Sequence, residues 1–227
     1  MTKDITIINL GGVNCYLIGA GTSFILIDTG FSNKRGRLLK ELENAGCQSD
    51  NLQLILLTHG DIDHAANAAY LHKKFGATIG MHLDDSGMVE TGNMGWNRKS
   101  KPDKISFIGG MIILFGSIST FLSPSNKFET FSPDFYCEDG QSLFDYGLDA
   151  CVIHIPGHSK GSIAVLTASG DLFCGDLLWN IGKPGPHFLV DDLIAHQSSM
   201  QKLKSLKIKT VYPGHGNPFS IEKLLGK

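Results

Sequence analysis

The stretch that most constrains this chain is Leu52-Gln53-Leu54-Ile55-Leu56-Leu57-Thr58-His59-Gly60-Asp61-Ile62-Asp63-His64. Its apolar half is short and continuous and ends at Thr-His-Gly, which reads as a buried strand running into a tight turn. Directly after it, His59, Asp61, Asp63 and His64 fall within six positions. The Ala-rich segment that follows has helical periodicity and closes on Lys73, Lys74 and Gly76, a helix stop. One Asp in such a turn would be an ordinary helix cap. Two His and two Asp at alternating and adjacent positions read instead as ligands, and imidazole with carboxylate suits Zn, Fe or Mn better than Ca or Mg.

At 227 residues the chain is expected to form a single domain with a substantial core. Its 42% hydrophobic and 19% charged residues are those of an ordinary globular protein. A formal charge of -2 gives no reason to expect nucleic acid or an anionic membrane as partner. The first residues show no apolar core or cleavage site of a signal peptide. The five cysteines, Cys15, Cys47, Cys137, Cys151 and Cys174, are scattered without a Cys-x-x-Cys, as reduced thiols would be. A cytoplasmic location is therefore expected. A small-molecule substrate fits these bulk properties, and the oligomeric state stays open, a homodimer included.

In chain order, Ile5 to Leu10, Asn14 to Ile18 and Phe24 to Asp28 read as an antiparallel meander. Asp28 ends a buried strand and needs partners, either as a turn cap or as a group steadying the metal turn. A helix is expected next, capped by Ser32, burying Leu38, Leu39, Leu42 and Ala45 and stopping at Gly46. Ala77 to Met81 is another strand. The span of about 84–137 reads as a cap insertion: the cluster Arg98, Lys99, Lys101 and Lys104 reads as solvated surface, and the spacing of Ile108, Met111, Ile112, Phe115, Ile118 and Leu122 as one face of a helix. That run is too short for a bilayer, which needs ~20 residues. Strands are expected at Cys151 to Ile155, Ser162 to Leu166, Leu172 to Cys174 and Thr210 to Tyr212. A helix after Asp191 and Asp192 is expected to bury Leu193, Met200 and Leu203, and a short one to cover Ser220 to Leu225.

An apolar strand followed by a turn holding His or Asp recurs at Thr58-His59, Pro156-Gly157-His158, Gly175-Asp176 and Pro213-Gly214-His215. In this order the motifs resemble the metallo-β-lactamase superfamily, whose signature is His-x-His-x-Asp-His, a Pro-Gly-His turn, a Gly-Asp strand end and a late Gly-His. The resemblance runs from Ile27-Asp28-Thr29-Gly30 to Gly214-His215. It implies an α+β fold, a four-layer αββα sandwich with metals at one edge of the paired sheets. By position it implies one metal site of His59, Asp61 and His158 and another of Asp63, His64 and His215, with Asp176 bridging them. Two divalent metal ions are then expected, zinc first, with iron or manganese as alternatives.

Residue 61 departs from the family, which has His there. A third carboxylate in the cluster would weaken its Lewis acidity, raise the pKa of the bridging water and favour harder metals. The implied activity is metal-dependent hydrolysis of an ester, thioester or lactone-type carbonyl by a metal-bridging hydroxide. Asp63 would anchor the second metal and then carry a proton to the leaving group. His187, on a loop after Asp176, is a candidate for touching substrate. His154 reads as a hydrogen-bonded residue behind the site, His72, His82 and His196 as structural or surface groups, and Cys174 as a small buried residue. Flavodiiron proteins share this fold and carry a carboxylate at the place of Asp61, so a diiron or iron redox protein is the second reading. A binding protein without catalysis is the third.

Overall fold

The computed structural model describes residues 4–105 and 128–225. β1 (Ile5–Asn9), β2 (Asn14–Ala20) and β3 (Ser23–Ile27) form the expected antiparallel meander. After a 3-10 turn at Ser32–Lys34 comes α1 (Arg35–Asn44), so Ser32 opens the turn and is not the cap of the helix. β4 (Leu52–Leu56), α2 (Ile62–Ala65), α3 (Ala68–Phe75), β5 (Thr78–Met81) and α4 (Leu83–Thr91) follow. Next are β6 (Lys104–Ile105), β7 (Phe135–Tyr136), β8 (Ala150–His154), β9 (Ile163–Thr167), β10 (Asp171–Asn180), β11 (Gly185–Pro186) and β12 (Leu189–Val190). α5 (Leu193–Lys204), β13 (Thr210–Gly216), β14 (Phe219–Ser220) and α6 (Glu222–Leu225) complete the described chain.

Two sheets carry the molecule, one ordered β1-β2-β3-β4-β5-β7 and the other β14-β13-β10-β9-β8. Their side chains alternate with the period of two that a strand imposes. Ile18, Ile25, Ile27, Leu54 and Leu56 of the first sheet meet Val152, Ile163, Val165 and Phe173 of the second in one buried cluster. The intervening Leu17, Leu26 and Ile55 face the other way, onto Leu38 and Leu42 of α1, Leu71 of α3 and Val89 of α4. On the far face of the second sheet, Ile153, Ala164, Leu172 and Cys174 pack with Leu203 of α5. Helix, sheet, sheet, helix is the four-layer αββα order expected.

Several boundaries differ from expectation for physical reasons. The helix after His59 is broken between α2 and α3 at Asn67, whose buried amide donates to the carbonyls of Thr29, Gly30 and Phe31 at 2.8, 3.1 and 2.9 Å. This ties the strand end after β3 to the metal-motif turn. β10 does not stop at Gly175-Asp176. It passes through a register shift at Gly175 and continues beside β13 to Asn180. Leu193 is 37% exposed because α5 starts at the surface with Asp192 as its cap, accepting from Ala195 N at 2.9 Å. Of the span 84–137, α4 contributes Met88 and Val89 to the interior and β7 extends the first sheet beside β5. The apolar run from Phe107 to Leu122 lies within residues 106–127, outside the described residues. No helix among the described residues is long and apolar enough to cross a membrane.

Candidate metal centre

The two sheets open at the end where β4, β8, β10 and β13 deliver their turns and irregular segments. β4 runs into Leu57-Thr58 and sets His59 at its tip, and Asp61 starts α2, which carries Asp63 and His64. From the second sheet come His158, just past β8, Asp176 in the bulged part of β10, and His215 near the end of β13. These seven residues lie more than a hundred positions apart in sequence at the extremes, yet they converge. His59, His158 and Asp176 form one compact set, and Asp63, His64 and His215 another.

Asp61 Oδ2 lies 3.0 Å from His158 Nε2 and 3.4 Å from His59 Nε2. Asp63 Oδ2 lies 3.4 Å from His215 Nε2 and 3.7 Å from His64 Nε2. Asp176 reaches both sets: its Oδ1 is 3.5 Å from His64 Nε2, and its Oδ2 is 3.3 Å from His215 Nε2 and 3.8 Å from His158 Nε2. Among the described residues, His59 Nε2, His64 Nε2, His187 Nε2 and Asp176 Oδ1 are buried without a hydrogen-bond partner. Buried polar atoms are seldom left so, and here four face the same small volume. Two cations among imidazole and carboxylate donors would satisfy those of His59, His64 and Asp176.

What stands behind the histidines points the same way. His59 Nδ1 lies 3.0 Å from Thr58 Oγ1, His64 Nδ1 2.8 Å from Asp28 Oδ2, His158 Nδ1 3.0 Å from Leu189 O and His215 Nδ1 2.7 Å from Gly12 O. Each partner can accept a proton from Nδ1, which leaves the lone pair on Nε2, facing the centre. Asp28 does this for two rings at once. It is buried, at φ 59°, and accepts from Thr58 N and Thr58 Oγ1, both at 2.8 Å, as well as from His64. Thr58 Oγ1 thus donates to Asp28 and accepts from His59. Of the two readings of Asp28, the structure favours the group that steadies the turn carrying His59 and His64.

Charge at the centre is dense. Burial pushes the Asp61 carboxyl up, but the Arg98 guanidinium, with His158 and His59, holds it well below the usual carboxylate range. Burial also disfavours charge on His64 and His215, yet Asp176 and Asp63 outweigh it at both. His64 is carried up to about 9, and His215 rises well above its ordinary value. His187 goes the other way, pushed down to about 3 chiefly by burial.

Two groups important to this geometry were not picked out from the sequence. Arg98, expected as part of a solvated basic cluster, is only 14% exposed and donates from Nη2 to Asp61 Oδ2 at 2.9 Å. Its neighbour Lys99 does lie at the surface, paired with Asp103 and Asp192. Asp85, on the first turn of α4, is buried and accepts from Ser159 Oγ at 2.6 Å, Gly161 N at 2.8 Å and Gly60 N at 3.2 Å. It locks the His158 turn to the His59 turn. His187 is buried 3.3 Å from Asp176 Oδ2 and lines the cleft over the centre.

The other histidines lie apart. His72 bonds to Ala77 O and His196 to Leu177 O. His82 and His154 stack at 4.1 Å beside Asp84, but His82 Nδ1 accepts from Asp84 N and His154 Nε2 bonds to Lys160 O. Those bonds occupy a nitrogen on each ring. Cys174 is buried within β10, as expected of a small packing residue.

The model of the metallo-beta-lactamase superfamily matches residues 8–215, spanning every residue of the centre. The chain belongs to the metallo-beta-lactamase superfamily. Its similarity to a beta-lactamase-like protein 2 homolog of Drosophila melanogaster is 26% identity over 218 residues, 96% of this chain and 62% of the relative. An atrochrysone carboxyl ACP thioesterase of Aspergillus fumigatus is 26% identical over 211 residues, 91% of this chain and 51% of that one. The chain therefore spans between half and two thirds of the length of these two superfamily members. A solved metallo-beta-lactamase family protein from Thermus thermophilus superposes with a TM-score of 0.70 at 22% identity, covering 98% of this chain and 76% of that one, a likeness of fold.

Proposed function

We propose that this superfamily member is a binuclear metal-dependent hydrolase that attacks the carbonyl of an ester, thioester or lactone on a small, partly apolar substrate. The observation that carries this reading is the convergence of four histidine Nε2 atoms and three carboxylates, several buried without protein partners, at the floor of a cleft of about 370 Å³. His59, Asp61 and His158 would hold one cation and Asp63, His64 and His215 the other, with Asp176 between them. Zinc is the first expectation and iron or manganese the alternatives. When bound, such a pair supplies a Lewis acid for the substrate oxygen and a readied water for attack.

The chain's own residues supply the rest. Val13, Phe31, Trp179, Ile181, Phe188 and Leu189 wall the cleft and suit an apolar portion of the substrate. Leu189 N is directed at His187 Nδ1 at 3.4 Å. Leu189 O lies at the same 3.4 Å from that nitrogen, and His187 Nε2 faces Asp176 Oδ2 at 3.3 Å, so the ring stands at the edge of the cleft where it can contact substrate. Asp63 is the most open of the three carboxylates, at 22%. It can take a proton from the attacking water and pass it to the leaving group. The thioesterase named among the relatives supports the carbonyl substrate class.

The test uses protein freed of metal and then reloaded separately with zinc, manganese or ferrous iron, assayed on 4-nitrophenyl esters and acyl thioesters of increasing chain length. Metal-dependent turnover whose kcat/KM rises with apolar acyl length, and falls at least 100-fold in Asp63→Asn, is the expected result. Full metal loading with no turnover of any of these substrates, or iron-dependent oxygen uptake in their place, would overturn it.

A further inference from the structure

Arg98 sits where a cation of the first set would be felt most strongly. Its Nη2 lies 2.9 Å from Asp61 Oδ2 and 3.5 Å from His158 Nε2, the two donors of that set nearest each other. The segment that carries it is fixed on both sides. On one side Trp96 packs against Gly87 of α4, where a Cβ would come within 2.2–2.5 Å of its indole atoms. Asn97, at φ 55°, donates to Asp84 O at 3.1 Å and accepts from Lys160 Nζ at 2.7 Å. On the other side Lys99 N donates to both oxygens of Asp191, at 3.1 and 3.3 Å. With its backbone held on both sides and its guanidinium mostly buried against a carboxylate, Nε being left without a partner, Arg98 is a built element of the site and not a drifting surface charge.

Its consequence follows from counting formal charge. Asp61, Asp63 and Asp176 bring three negative charges and Arg98 one positive, a net of two negative. Two carboxylates with a neutral histidine at position 61 and no arginine would give the same net. We infer that Arg98 and Asp61 function as one unit, an ion pair that presents an oxygen donor to the first cation while leaving the centre with the charge of a histidine-containing one. The weakened Lewis acidity expected from Asp61 alone is then offset, and what remains of the exchange is the harder oxygen donor and a guanidinium that contests Asp61 and His158 with the metal. Arg98 is a positioning residue here. The inference rests on the two-cation reading of the site.

The test measures stepwise zinc and manganese affinities, by competition with a chromogenic chelator, in metal-free wild type, Arg98→Met, Arg98→Lys, Asp61→His and the double variant Asp61→His/Arg98→Met. Removing the guanidinium should tighten the weaker of the two steps on the order of tenfold, the scale on which groups behind metal ligands act, and Arg98→Lys should stay near wild type. Asp61→His alone should weaken that step on the order of tenfold, because an arginine without its carboxylate then repels the cation. The double variant should recover it to within about threefold and should favour zinc over manganese more than wild type does. Unchanged affinities in Arg98→Met, or a double variant no better than Asp61→His alone, overturn the pairing while leaving the two-cation reading intact. Wild type and Arg98→Met that both take up fewer than two equivalents overturn that reading, and the inference with it.

Discussion

Asp28→Asn isolates the hydrogen-bond relay behind the centre. In the native chain one carboxylate accepts three protons, from Thr58 N and Thr58 Oγ1 and from His64 Nδ1, each at 2.8 Å. An amide is nearly the same shape, and Asn tolerates the left-handed backbone found at this position. It cannot accept three protons, however. With its NH2 toward His64 and Thr58 Oγ1, His64 must accept on Nδ1 and carry its proton on Nε2. The Thr58 hydroxyl then turns to His59 and forces the same exchange there. Both rings would present N–H groups where lone pairs are needed. With the amide reversed, the NH2 abuts Thr58 N–H and leaves a buried donor unpaired, at about 1–3 kcal/mol. Loss of such a partner typically lowers metal affinity 10–100-fold, which is about 1.4–2.7 kcal/mol. Because the relay serves one histidine from each set, both stepwise zinc affinities should fall, not one. Chelator competition measures this, with circular dichroism on the metal-free protein to show that it remains folded. If both dissociation constants in a folded Asp28→Asn stay within twofold of wild type, the relay is not what orients these rings.

Three further outcomes are expected. In Gly214→Ala the new Cβ would overlap Asp176 Oδ1 and come within 2.7 Å of His64 Cε1; turnover should drop about 100-fold or more with the fold kept, as activity and thermal melts together would show. Metal uptake should also release protons. At pH 7 the metal-free protein holds His64, at about 9, and His215, raised well above its usual value, in their charged forms, and ligation requires both neutral. Affinity should therefore climb with pH toward about 9, roughly tenfold per unit for each proton displaced. The metal-free fold has the opposite dependence. A raised folded-state pKa stabilises it fully below the unfolded value of 6.5, and that contribution fades as pH passes through about 9. Calorimetry in buffers of different ionisation enthalpy checks the proton release, and uptake that does not change between pH 7 and 8.5 would contradict it; melting curves of the metal-free protein across the same range check the stability.

The layers were legible because strand alternation is local. Leu54, Ile55 and Leu56 form a continuous apolar run, which reads as a strand covered on both faces, and the structure turns them to different clusters. The ligand candidates were legible because four of them crowd into six positions and the others follow glycine turns. What escaped depends on distant partners. Arg98 looks like its neighbours in a basic run until Asp61, thirty-seven positions earlier, is placed beside it. Asp85 reads as an ordinary acidic residue in the first turn of a helix, and only the Ser159 and Gly161 contacts reveal a buried clamp. The break between α2 and α3 is set by Asn67 holding three carbonyls of the chain around residue 30. The continuation of β10 past Asp176 is set by its pairing with β13. No window of local sequence contains either fact.

The candidate donors are divided between the halves of the sandwich: His59, Asp61, Asp63 and His64 ride on the first sheet's connections, and His158, Asp176 and His215 on the second's. A cation held by these residues from both sides would therefore also be a rivet through the molecule, and sliding one layer over the other would cost its ligation. Binding energy of that kind adds directly to resistance against unfolding. Stripping the ions should loosen the seam between the sheets as well as silence the chemistry.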